Sequence, residues 1–257
     1  MALSIWEILA VFAAGIGAGT INTIVGSGTL ITFPVLLATG LPPVTATVSN
    51  ALGLIPGSIS GAIGYRKELA GQRRRIIKLS VGAAIGGLCG ATLLLALPST
   101  AFETIVPVLV ALALVLVILQ PRISKAVQRR REHTGAAPRT DGGPLLFAGL
   151  MLASVYGGYF TAAQGIIYLS LMGMLLDDTM QRLNAVKNVL AAVVNTIAAL
   201  FFLFVAHFDW TAVVLIAVGS AIGGQIGAKV GRRLSPTVLR ALIVAVGTAA
   251  IVQLLLR

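Results

Sequence analysis

The residues best suited to chemistry in this chain are few, and they lie inside apolar sequence. Lys187 sits in the run LNAVKNVLAAVVNTIAALFFLF, five residues beyond Arg182 and ahead of a long uncharged stretch. A cation within a membrane-crossing helix is costly to bury and marks a functional site by default. Its natural chemistry is that of a counter-charge for an anion. The alternative is that its stem snorkels, returning the ammonium to the interface from about one and a half turns inside the helix. Asn184 and Asn188 stand four apart and share a helix face, and Asn195 continues the stripe. Such a stripe belongs against protein or a solvated cavity, because lipid offers an amide no partner.

A second group lies near the N-terminus. Asn22, Thr23, Ser27, Thr29 and Thr32 surround Gly26 and Gly28 in an otherwise apolar segment. Breaking a helix there frees backbone N–H groups, and glycine lets a ligand approach them. The N-terminus of the resuming helix then offers partial positive charge to an anion. Packing between helices, or bonding back to local carbonyls, is the alternative role for each small polar residue taken singly. Asn50 joins the set because it recurs. Val48-Ser49-Asn50 falls on Val186-Lys187-Asn188 at an offset of 138. The substrate-binding candidates are therefore Asn22, Thr23, Gly26, Ser27, Gly28, Thr29, Asn50, Lys187 and Asn188.

The elements that must position these residues repeat as well. Residues 81–91 read VGAAIGGLCGA and residues 218–228 read VGSAIGGQIGA, eight of eleven identical at an offset of 137. Leu97, Thr100 and Glu103 fall at Leu234, Thr237 and Arg240 with the same offset. Glycines at 82, 86 and 90, and again at 219, 223 and 227, have the spacing that lets two helices approach closely. They are packing residues, expected at the seam between the copies or against the broken segments. Two copies of an apolar unit are a common plan for a solute carrier with its site between them.

Composition places the chain in a bilayer. Hydrophobic residues make up 57% and charged residues 11%, far from a soluble domain's balance. The stretches 8–65, 79–102, 104–120 and 213–228 carry no charge. The first is long enough for more than one crossing helix, and each of the others is at or near the length of one. Helical spans are predicted near 44–64, 76–97, 102–120, 183–206, 210–230 and 237–256. Segment 5–40, about 35 residues, reaches roughly 52 Å as one helix, too long for one crossing. Gly26-Ser27-Gly28 and Pro34 interrupt it. Segment 144–176 is similarly long and carries Gly157-Gly158 and Gly165. Each is predicted to be two short or broken helices joined near the glycines. The site is expected where these segments meet spans 44–64 and 183–206.

The net charge of +11 sits in short loops beside apolar spans, which signals membrane orientation rather than nucleic-acid binding. With loops 65–78 and 121–143 in the cytoplasm, inverted copies put 17 of 19 basic residues inside, whereas parallel copies move five of them out. The positive-inside bias favours inverted copies with both termini outside. The domains are then 1–120, a first transmembrane repeat; 121–143, a flexible basic cytoplasmic linker; and 144–257, a second repeat. No basic residue precedes the first apolar segment, so it is read as a retained span rather than a signal peptide.

Enzyme chemistry finds little support. The eight acids lie at span ends or in loops, His133 in the linker and His207 in a short turn, and Cys89 is the sole cysteine. No metal cluster, His-Glu-x-x-His motif or P-loop is present, and no cofactor is expected.

The run Gly17-Ala18-Gly19 … Gly26-Ser27-Gly28-Thr29-Leu30-Ile31-Thr32-Phe33-Pro34-Val35-Leu36-Leu37, then Gly40-Leu41-Pro42-Pro43 and Ala46-Thr47-Val48-Ser49-Asn50, resembles the sulfite exporter TauE/SafE family. The duplicated halves, basic central loop and length extend the resemblance over essentially the whole chain. The second copy departs from it: 164–176 (QGIIYLSLMGMLL) lacks the proline and the paired glycines. The resemblance implies a cytoplasmic-membrane permease for sulfite, sulfonates or other small sulfur-containing or organic anions. The expected class is thus an all-α polytopic membrane protein, two inverted homologous copies of a broken first segment plus three spanning helices. The expected function is secondary transport of a small anion across the cell membrane, and a homo-oligomer is compatible with it. A channel-like facilitator on the same scaffold, or a membrane enzyme or assembly factor without solute flux, is the alternative.

Overall fold

A computed structural model describes residues 3–134 and 142–230, with isolated positions between 241 and 252. It is built of helices, with no strand among the described residues. They are α1 (Ile5–Ile24), α2 (Thr29–Ala38), α3 (Pro43–Gly53), α4 (Ile55–Gly64), α5 (Arg73–Ala96), α6 (Ser99–Thr134), α7 (Gly143–Tyr159), α8 (Gln164–Leu175), α9 (Met180–Val205) and α10 (Trp210–Val230). Four of them, α1, α5, α9 and α10, are long and apolar enough to cross a bilayer.

Both long first segments are broken, as their lengths require. α1 opens with a reciprocal cap in which Ser4 and Glu7 each satisfy the other's backbone N–H. It closes at Gly26, whose φ of +91° suits a residue without a Cβ. The chain resumes at Thr29 and runs through Pro34 to Ala38. The interruption expected at Gly26–Gly28 is therefore present, but Pro34 does not break α2. Pro34 is the sixth residue of α2 and removes one backbone bond there without ending the helix. α7 stops at Tyr159 and α8 starts at Gln164, after Ala163 in a left-handed conformation (φ 58°). That break lies between the glycines that foreshadowed it.

Each broken pair folds back as a hairpin. Gly28 packs on Ala18 and Gly17 faces Ile31. Likewise Gly149 faces Leu171, Ser154 bonds Tyr168 and Gly157 packs on Gln164. The two hairpins enter from opposite ends. The glycine face of α10 lies along α1 in the same direction, Gly219 on Phe12 and Ile16, Gly223 on Ile16 and Thr20, Gly227 on Thr20 and Thr23. α5 lies along α7 in the same way, with Gly82 on Phe147, Gly86 on Met151 and Gly90 on Val155. α10 finishes beside α4, where Gly64 packs on Ala228, whereas α5 starts near this end, just after Tyr65. The glycine helices therefore each pack on a broken segment distant in sequence, α10 on α1 and α5 on α7, which is one of the two places expected for them.

Two further differences from expectation are local. Span 44–64 is divided into α3 and α4 at Leu54, because Pro56 cannot donate to the Leu52 carbonyl. The first part of the expected flexible linker, 121–134, continues α6 as helix: a polar sequence rich in Arg is a good helix former once an upstream helix has nucleated it. The span expected at 237–256 lies outside the described residues apart from isolated positions.

The outer surface is apolar. On α5 the side opposite the glycines shows Val81, Ile85 and Leu88, and on α10 Val214, Val218, Ile222 and Ile226. Phe204 is 86% exposed. A belt of this extent is unsuited to water and suited to lipid.

At the end where α5 and α9 begin, polar bonds join the loops. Asp178 accepts from Arg75 Nη1 at 2.7 Å and from Arg182 Nε at 2.8 Å. Arg182 also donates to the Ala70 carbonyl, and Gln72 Nε2 to that of Glu68. Burial alone raises the Asp178 carboxyl. The Arg75 and Thr179 hydrogen bonds and the two arginine charges outweigh it and hold the group below its ordinary value.

Candidate functional site

The tips of the two hairpins meet. Gly165 N–H, in the first turn of α8, donates to the Gly26 carbonyl at 3.0 Å. Each of these glycines occupies the space in which the other's Cβ would stand. Phe160, in the α7–α8 break, places its ring edge-on against Phe33 of α2 with centroids 5.2 Å apart.

Lys187 enters this crossing from α9. Its side chain passes against Gly165 and is only 1% exposed, so it does not snorkel. Nζ donates to the carbonyls of Asn22 at 2.7 Å and Thr23 at 3.1 Å. These belong to the last turn of α1, where carbonyls lack helical partners and the helix end is partially negative. Among the described residues Lys187 has no acidic partner. Asn184 Nδ2 and Asn188 Nδ2 donate to the same Thr23 carbonyl at 3.0 and 3.4 Å. The shared face read from their spacing is thus turned onto the end of α1.

Asn50 does for α2 what these residues do for α1. Its Nδ2 donates to Thr29 Oγ1 at 3.1 Å, and its Oδ1 accepts from Thr32 Oγ1 at 2.5 Å. Asn22 Nδ2 reaches Ser58 Oγ on α4 at 3.3 Å. In the second hairpin Tyr168 OH accepts from Gln164 Nε2 and shares a hydrogen bond with Ser154 Oγ, each at 2.6 Å.

Several buried atoms around the crossing have no hydrogen-bond partner among the described residues: Thr23 Oγ1, Ser27 Oγ, Gln164 Oε1, Asn184 Oδ1 and Asn188 Oδ1. Ser27 is wholly buried. The backbone amides of Ser27, Gly28 and Thr29 reach no backbone carbonyl among the described residues. Unmet donors and acceptors beside a buried cation are suited to holding a small polar solute or ordered water.

The structure gathers most of the sequence-derived residues. Asn22, Thr23, Gly26, Lys187 and Asn188 meet at the crossing, with Ser27 adjoining Gly26. Thr29 and Asn50 form the flank on α2. Gly28 differs in surroundings: the space in which its Cβ would stand is filled by Ala18 and Asn22, so on that side it is approached by α1 rather than by a ligand. Sequence reading passed over Gln164, Tyr168 and Ser154. The available signal was a lone amide, Gln164, within an otherwise apolar break.

Apolar surface, broken helices and a polar centre define a multi-pass helical membrane protein. The chain belongs to a family of membrane transporters: the family profile described as "Sulfite exporter TauE/SafE" matches residues 11–254. It is 26% identical over 244 residues to a protein named "Probable membrane transporter protein YfcA" from Escherichia coli strain K12, covering 93% of this chain and 86% of that one. A "Probable membrane transporter protein" of Haemophilus influenzae is 26% identical, covering 93% and 91%. "Probable membrane transporter protein ORF9" of a Sinorhizobium species is 25% identical, covering 95% and 90%. No solved structure matches the chain.

Proposed function

We propose that this chain is a secondary transporter of the cytoplasmic membrane that carries a small anion, a sulfite, a sulfonate or another sulfur-containing or organic anion. The anion binds where the hairpin tips cross. The observation that carries this reading is Lys187, buried at the crossing with no acidic partner among the described residues. The unmet Ser27 hydroxyl and the amides opening α2 supply donors, and the charge of Lys187 makes the region favourable to an anion without an additional bound cation. The family's description as sulfite exporters supports the choice of solute class.

The site lies between two inverted copies, 1–120 and 144–257. Three features support that reading. The hairpins enter from opposite ends, the α1–α10 and α5–α7 pairs correspond to one another, and Arg75 and Arg182 share Asp178 at one end, as the positive-inside count requires. Alternating access then amounts to rocking one hairpin and its partner against the other.

The test is a thermal-unfolding screen of detergent-purified protein against sulfite, sulfonates, thiosulfate, sulfate and carboxylates, followed by flux into liposomes. A bound anion raises the midpoint in a saturable manner, and a carrier shows saturation and counterflow. Flux without saturation makes the protein a facilitator. No anion-dependent shift and no flux would refute the reading.

A further inference from the structure

The end of α1 carries more oxygen than one lysine uses. The carbonyls of Asn22 and Thr23 accept from Lys187 Nζ. Beside them, Thr23 Oγ1, Asn184 Oδ1 and Asn188 Oδ1 are buried with no partner. The two asparagine side chains are held there by their bonds to the Thr23 carbonyl. Two carbonyls at a helix C-terminus, which is partially negative, thus hold the ammonium, and three further buried oxygens belong to Thr23 and to the two asparagines bonded to its carbonyl, in a place closed to bulk water. None is a carboxylate. Oxygen sets of this kind, neutral and at the end of a broken helix, coordinate monovalent cations. A divalent ion would leave a charge that no acid nearby balances.

We propose that this cluster is a monovalent-cation site whose resident ion is covalently attached: the Lys187 ammonium fills it, and a free alkali cation enters when the lysine is shortened. The intact protein therefore needs no sodium to complete the crossing. The shortened protein acquires a sodium requirement. This does not depend on which solute the crossing carries, or on whether it carries one.

The experiment measures thermal unfolding of purified protein in sodium, lithium or potassium chloride against choline chloride at equal ionic strength. No anionic substrate is added. Wild-type midpoints should be the same in all four salts, and so should those of Lys187→Arg, which keeps a tethered charge. Lys187→Ala should unfold earlier in choline and recover along a saturating curve as an alkali cation is added. Adding Asn184→Ala to it should raise the half-saturating cation concentration about tenfold or more, the usual cost of one hydrogen-bonding contact to a charge. Lys187→Met and Lys187→Gln are made in parallel in case the alanine variant does not fold. Recovery of any shortened variant from membranes in sodium but not in choline is a supporting result. Equal midpoints in every salt for the shortened variants overturn the assignment. So does an alkali-dependent rise in the wild type, or failure of all shortened variants to fold in any salt.

Discussion

Gly26 and Gly40 share a backbone conformation and differ in surroundings, which makes them a matched pair. Their φ values are +91° and +85°. A Cβ at Gly40 meets nothing within 4 Å, whereas one at Gly26 runs into the Gly165 backbone, its carbonyl carbon at 2.8 Å and nitrogen at 3.1 Å. Gly40→Ala therefore carries the left-handed strain alone, about 1–2 kcal/mol. Gly26→Ala carries that strain and must also push the hairpin tips apart, adding about 1–3 kcal/mol of overpacking. The sum, about 2–5 kcal/mol, falls where the Gly165–Gly26 hydrogen bond closes the crossing. Detergent unfolding and liposome flux should be measured on both variants. Gly40→Ala should lose modest stability and keep its flux, whereas Gly26→Ala should lose more stability and its flux. Equal stability losses, or normal flux in Gly26→Ala, would show that the tips need not touch.

In choline salts, with no alkali cation to replace the ammonium, Lys187→Gln should weaken anion binding about ten- to over a hundredfold, the worth of a charge-assisted bond, read by titration of the midpoint shift; an unchanged dissociation constant there would remove Lys187 from the site. Asp178→Asn should destabilise by roughly 1.5–3 kcal/mol. Because the Asp178 carboxyl is held below its ordinary 3.8, its contribution should be complete above about pH 4 and fade as pH falls towards its folded value, so the stability difference between wild type and Asp178→Asn should shrink only in acid. Cysteines replacing Ala70 and Thr179 in a Cys89→Ser background should both resist an impermeant thiol reagent added outside whole cells, and opposite labelling of the two would contradict the shared end. Gly223→Leu should reduce the amount of folded protein, measured by gel-filtration yield, because Ile16 and Thr20 leave no room for the side chain.

Much of this architecture was legible because a bilayer permits few solutions. Charge-free lengths located α5, α9 and α10 to within a few residues, and the excess length of 5–40 and 144–176 forced a break in each. The glycine spacing announced close packing, and the repeat suggested a partner in the other half. What escaped depends on three-dimensional closure. Whether Lys187 snorkels or turns inward is decided by the end of α1, 164 residues away in sequence. Gly28 looked open because glycine is equally suited to a ligand's approach and to a helix's, and Ala18 decides for the latter. Gln164 lay in a segment that seemed degraded relative to its counterpart. Its role appears only once Tyr168 and Ser154 stand beside it.

The pairing of α1 with α10 also sets a timetable for assembly. Thr20 donates to the Gly223 carbonyl across 203 residues of chain. At the usual pace of synthesis, about 5–20 residues per second, that separation is roughly 10–40 s. For that interval α1 lacks the glycine face against which it settles, and lipid or a provisional neighbour must cover Gly15 and Gly19. α1 thus reaches its final packing only after α10 has been made, so release of a truncated product before α10 would leave α1 without its seat in the bilayer.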